Sequence, residues 1–248
     1  MTIKFPFESG EAASEGHTEA ERKEGFTDVP VSKKTVAMQR LQDFARLGYT
    51  HFSTGLIKRE KVQSFRAKMA VKYGTGLSRS ERQKWRRHGE SMSALVIWIP
   101  ANSDRARFWL LFQPGHPGLY RENTSDLTQK GSRVTMPREP AQEDTLDYEL
   151  VRLDDKWTWR MTEECYERWR QRWREATTAP DDDTRGMLWR QAAYSFRRMP
   201  GFRGVRRDAG ELKREALGGW SRIRSDSEGP PSKIVTPAWL RRVQHHTN

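Results

Sequence analysis

The chain has 248 residues and a mass of 29.0 kDa, enough for one large domain or two small ones with a proper core. Its net charge of +12 favours an anionic partner, nucleic acid rather than an acidic membrane, and no stretch approaches the roughly 20 apolar residues that span a bilayer. A single cysteine, Cys165, excludes an intramolecular disulfide and a cysteine-rich zinc module, and without an apolar leader in the first thirty residues the expected compartment is a reducing cytoplasm.

The charge is unevenly distributed: −3 over residues 1–33, +10 over 34–90, −3 over 91–155, +7 over 156–224 and +1 over the tail. Residues 1–33 are rich in Glu, Gly, Ser and Ala. Ile3, Phe5 and Phe7 alternate like a short strand, and the residues after Phe7 are expected to form a loose acidic arm, because so little apolar surface cannot offset the ordering entropy.

Residues 34–161 are expected to form an α+β domain. After Ser32 as N-cap, Val36, Leu41, Phe44, Ala45 and Leu47 fall at helical spacing until Gly48. A second helix is expected over 58–73, with Val62, Phe65, Met69 and Tyr73 on one stripe and Lys58, Arg59, Lys61, Arg66, Lys68 and Lys72 around it. Ser78 and Glu81 read as a capping box opening a short helix that carries Arg82, Lys84, Arg86 and Arg87. Strands are expected at 93–99 and 107–112. A long irregular stretch, 114–147, contains one strand-like piece at 133–136. Further strands at 148–153 and 157–161 flank a hairpin signal at Asp154 and Asp155. The expected architecture is an α+β fold, with a central antiparallel sheet of about four strands between N-terminal basic helices and a C-terminal arginine-rich helical subdomain.

That subdomain, 162–224, reads as three helices, and 225–248 as a tail. Over 156–224 there are fifteen Arg and two Lys against ten acids. In the first helix Trp169, Trp173 and Ala176 share a face, while Arg168 with Arg172, and Arg170 with Arg174, line others. The aspartates 181–183 cap the second, where Trp189, Ala193 and Phe196 point inward. Arg190, Tyr194 and Arg197 then fall at i, i+4 and i+7 on another face. Beyond Arg198 and a break at Pro200, Gly201 and Gly204, an apolar stripe from Val205 to Ile223 opposes Arg206, Arg207, Lys213 and Arg214.

Arginines sharing a face with aromatics combine phosphate neutralisation with base stacking, the two ingredients of nucleic-acid binding. A solvated, salt-laced face explains the charge equally well, but not the preference for Arg over Lys. The helices around the break also resemble a helix-turn-helix, whose second helix would enter a DNA major groove through Arg203, Arg206, Arg207, Lys213 and Arg214. The chain shows no phosphate-binding glycine loop, GxSxG elbow, HExxH motif or spaced acidic set of a two-metal nuclease, so neither metal nor cofactor is expected. Metal-independent RNA cleavage needs a base for the 2′-hydroxyl proton and cations for the phosphorane charge. His51 or His88, inside the first basic block, would serve as that base; the alternative is a surface histidine among bases.

The basic charge, the central sheet, the arginine-rich segment 162–224 and the lack of metal ligands together resemble the guide-RNA-processing endoribonucleases of type IV CRISPR systems, in the repeat-associated RNA-binding superfamily. The resemblance implies a helical finger that grips an RNA hairpin, cleavage carried by arginines such as Arg40, Arg46 and Arg242, and a place beside other subunits of a ribonucleoprotein complex. The expected function is therefore hairpin-RNA binding with metal-independent cleavage, RNA being favoured over DNA. The alternative is a non-enzymatic DNA-binding accessory or replication protein of a plasmid or mobile element.

Overall fold

The computed structural model describes residues 28–140, 145–223 and 229–240, which form two compact units. The architecture is α+β, with two antiparallel sheets and six α-helices among the described residues. The loose arm expected over most of 1–33, the strand at Ile3–Phe7 and the end of the tail lie outside the described residues.

Residues up to Ala37 and from Leu47 to Ser125 build the first unit. Its sheet has the order β2-β3-β1-β4, from Ser93–Trp98 (β2), Arg105–Phe112 (β3), His51–Lys58 (β1) and Ser125–Asp126 (β4). β1 pairs antiparallel with β3 along its whole length, His51 opposite Phe112 and Lys58 opposite Arg105. β2 is buried throughout and supplies the other neighbour of β3. On one side, Leu95, Ile97, Ala106, Leu110 and Phe112 pack with Val62, Met69 and Tyr73 of helix α2 (Val62–Tyr73). Helix α3 (Arg79–Arg87) opens with the expected capping box: Ser78 Oγ accepts from the Glu81 N–H, and the Glu81 carboxylate accepts from the Ser78 N–H at 2.7 Å.

Two boundaries differ from the sequence expectation. Lys58 ends a strand, and a short 3-10 turn, Arg59–Lys61, separates it from α2. The four-stranded sheet takes β1 and β4 as members, while the hairpin built on Asp154 and Asp155 belongs to the second sheet.

The second unit comprises Met38–Arg46 and Asp126–Val243. It includes the C-terminal part of helix α1 (Lys34–Arg46) and a three-stranded sheet of order β5-β6-β7: Thr135–Pro137 (β5), Leu146–Leu153 (β6) and Lys156–Met161 (β7). The β6–β7 loop has two residues, Asp154 and Asp155, with φ of 46° and 58°. Positive φ at both central positions is what a type I′ turn requires, and its twist matches that of the strands. Trp159 on β7 is fully buried, and its indole N–H donates to the Met38 carbonyl at 2.8 Å.

Three helices complete this unit: α4 (Glu163–Thr178), α5 (Asp182–Phe196) and α6 (Arg203–Ile223). Thr162 caps α4 by accepting from the Cys165 N–H, and Asp181 caps α5 by accepting from the Thr184 N–H at 2.8 Å. Their shared core is aromatic: Trp173 lies 4.9 Å from Trp189, Trp189 lies 4.9 Å from Trp220, and Phe196 meets Trp169 at 5.2 Å, all edge to face. Such contacts add about 0.5–1.5 kcal/mol per pair beyond area burial, which makes a stiff support.

Candidate nucleic-acid interface

The α5 helix shows why its outer face is cationic. Trp189, Ala193 and Phe196 turn inward, so the residues one step further on, Arg190, Tyr194 and Arg197, turn to solvent. Tyr194 is 53% exposed. The Arg197 and Arg198 guanidinium carbons lie 5.3 and 5.2 Å from its ring centroid, and Arg198 Nη1 donates to its hydroxyl. The Arg190 guanidinium folds over Gly186. None of Arg190, Arg197 and Arg198 has a carboxylate partner among the described residues; two of these guanidiniums flank the exposed Tyr194 ring, and Arg190 stands one turn earlier on the same helix face. Arg172 adds a fourth: it lies 5.3 Å from the Trp169 ring and donates to Ser195 Oγ at 3.4 Å.

Much of the remaining cationic set is compensated internally. Arg168 meets Asp147 at 2.7 Å, Arg170 meets Glu167 at 2.7 Å and Glu215 at 3.0 Å, and Arg174 lies 3.7 Å from Glu167. Flanked by Glu215 and Glu167, Arg170 has its pKa pushed further up, while burial and the Glu215 acceptor push the Tyr166 phenol up to about 12. Arg203 pairs with Asp154 at 3.1 Å and donates to the Leu153 carbonyl. Arg206 donates to the Pro237 carbonyl and lies 4.4 Å from the Trp239 ring centroid, and Arg207 is 3.6 Å from Glu211. Lys213 and Arg214 carry no ion pair among the described residues.

The first basic block divides the same way. Arg66 is 7% exposed and pairs with the buried Asp28 at 3.1 Å. Arg82 is buried and donates to the carbonyls of Leu77, Thr75 and Ser93, so it clamps loops and is not available to a phosphate. Arg59 similarly holds the carbonyls of Pro100, Ala101 and Ser103. Lys58 is near Glu60 and Lys72 bonds Glu122. Lys61, Lys68, Arg86 and Arg87 are exposed and have no ion pair among the described residues. Arg66, expected among the cations around the stripe, instead falls on the buried stripe itself, four residues after Val62 and three before Met69.

The catalytic candidates are divided between the two units. His51 is half-buried at the start of β1, with Nδ1 3.1 Å from Thr50 Oγ1, and His88 is exposed at the C-terminal cap of α3. Both belong to the first unit. Arg40, half-buried, and Arg46, exposed and 3.4 Å from Asp43, belong to the second. Arg242 lies outside the described residues. Among the described residues, the histidine with a shifted pKa is one the sequence did not single out: His116 is buried, accepts from the Gly118 N–H through Nδ1, and desolvation holds its pKa down at about 4.

No family model, curated protein or solved structure matches this chain.

Proposed function

We propose that the protein binds structured RNA, with α5 as the gripping face. The observation that carries this reading is exposed Tyr194 flanked by the guanidiniums of Arg197 and Arg198, with Arg190 one turn earlier on the same face, none of the three with a carboxylate partner among the described residues. Guanidinium groups hold phosphates bidentately, and an exposed ring flanked by them offers a stacking surface for an unpaired base, which a hairpin loop supplies and a regular duplex withholds.

The helix-turn-helix reading is disfavoured by the start of α6. A side chain at Gly204 would put its Cβ 2.4 Å from the Trp159 carbonyl oxygen, and one at Gly201 would strike the Ala238 carbonyl. Asp208 is buried, accepting from the Met161 N–H at 2.8 Å, and burial pushes its pKa up. The N-terminal turns of α6 therefore face their own unit, whereas a recognition helix presents those turns to bases.

The test is a shift assay with a labelled RNA hairpin, the matched DNA hairpin and the unstructured RNA strand. The RNA hairpin binds tightest. Replacing Arg190, Tyr194 and Arg197 together by alanine leaves the circular dichroism spectrum intact and weakens RNA binding at least tenfold; unchanged affinity removes the assignment. Cleavage is scored separately, by incubation in EDTA and detection of a 2′,3′-cyclic phosphate end, with His51→Ala and His88→Ala variants identifying any general base.

A further inference from the structure

A second feature of the helical unit lies away from the α5 face. A cleft of about 240 Å³ opens between the C-terminal part of α1, the start of β7, the turn before α6 and the Trp239–Leu240 stretch. Its walls include Trp157 and Trp239, and its rim carries Arg46, Lys156 and Arg203. Trp239 is 63% exposed, the only tryptophan among the described residues to stand so open, and Arg206 lies 4.4 Å from its ring. An indole so placed loses apolar burial that the other tryptophans gain, unless a flat partner covers it.

The rim suits phosphate. Lys156 is exposed without an ion pair among the described residues, the surface pair Arg46–Asp43 is weak and open to exchange, and the half-buried Arg203, held at the Leu153 carbonyl, shares its charge with the exposed Asp154. The N-terminal end of the 21-residue helix α6 also borders the cleft, and its dipole favours an anion there. The floor suits a base. Gln42 is 8% exposed; its amide N–H donates to the Trp157 carbonyl at 3.0 Å, which fixes the group, while Oε1 has no donor. Oε1 is closed to solvent, so a small shift of the amide is needed before the exocyclic amine of adenine, cytosine or guanine supplies that donor.

We propose that this cleft binds one unstacked nucleotide, its base against Trp239 and Trp157, its amine directed to Gln42 and its phosphate held by Lys156, Arg46 and Arg203. A nucleotide fits better than a peptide or a lipid because flat aromatic walls, a cationic rim and the buried, donor-less Gln42 acceptor match a planar amine-bearing ring joined to a phosphate. The inference that the nucleotide belongs to an RNA rests on the function proposed above; the pocket itself does not.

The experiment titrates the full chain with AMP, UMP and ribose 5-phosphate, following tryptophan fluorescence and heat. AMP binds at least tenfold tighter than ribose 5-phosphate and more tightly than UMP. Trp239→Ala and, independently, Lys156→Glu each weaken AMP at least fivefold, while the Arg190, Tyr194 and Arg197 alanine variant binds AMP like the parent. Equal binding of AMP and ribose 5-phosphate, or AMP binding that neither variant changes, overturns the pocket, and equal AMP and UMP overturns the role of Gln42. Competition between hairpin RNA and AMP supports a nucleotide within the polymer. AMP binding that RNA does not displace overturns the polymer as its source, and hairpin binding lost only in the α5 variant leaves the two proposals to stand or fall apart.

Discussion

Removing charge from α5 while leaving its ring in place gives a quantitative prediction. In the variant Arg190→Gln, Arg197→Gln, Arg198→Gln, three guanidiniums without carboxylate partners are neutralised. Each phosphate contact contributes about 0.7–0.9 to the slope of log affinity against log salt, so the slope becomes shallower by about 2–3. Between 50 and 200 mM salt that difference is worth about 20- to 40-fold in affinity, the parent losing that much more than the variant. All three side chains are exposed, so the folded state changes by no more than about 0.5 kcal/mol. Arg207→Gln is the matched control, because Arg207 is exposed but already faces Glu211; its slope stays at the parental value. Fluorescence anisotropy with a labelled hairpin at four or more salt concentrations reads both slopes. A triple variant with the parental slope would show that these guanidiniums do not contact phosphates.

Other perturbations test the core. Arg66→Met strands the Asp28 carboxylate in a buried site and costs about 3–5 kcal/mol in urea unfolding, much of which Asp28→Asn restores in the double variant; an additive double loss contradicts this. Gly204→Ala drives a methyl against the Trp159 carbonyl and lowers stability by about 1–3 kcal/mol or more, so an unchanged melting temperature refutes the packing described at the start of α6. His116 is buried neutral, with its pKa lowered from 6.5 to about 4. Its contribution is present above pH 6.5 and is lost as pH falls towards 4, by at most about 3 kcal/mol, because the unfolded chain takes up the proton first. The stability gap between the parent and His116→Asn therefore narrows over that window, and a constant gap rejects the assignment.

Features set by neighbouring residues were legible in the sequence. The caps at Ser78 and Asp181, the Asp154–Asp155 turn and the inward stripes of the last three helices all depend on spacings of a few residues, and the α5 face comes from the same periodicity. The β1 strand was not legible, because His51–Lys58 mixes Ser53, Thr54 and Gly55 with only one fully buried side chain, Phe52, so it lacks clean alternation and is specified by β3. Which arginines remain available was also hidden. Arg168 meets Asp147 across 21 positions and Arg170 meets Glu215 across 45, distances over which no local pattern operates. Arg66 was read as one of the cations around the Val62–Tyr73 stripe because of its charge, although its spacing from Val62 and Met69 places it on the stripe.

The carboxylates stationed beside Arg168, Arg170, Arg174 and Arg207 have a consequence for discrimination. With these residents in place, the far field of the helical trio is weaker than its arginine count implies, and arbitrary polyanions gain little by approaching from a random direction. Attraction is concentrated where no acid sits close by. If α5 is the RNA-gripping face proposed above, an RNA would have to bring its phosphates to that small patch in the right shape, and a sticky composition would act selectively.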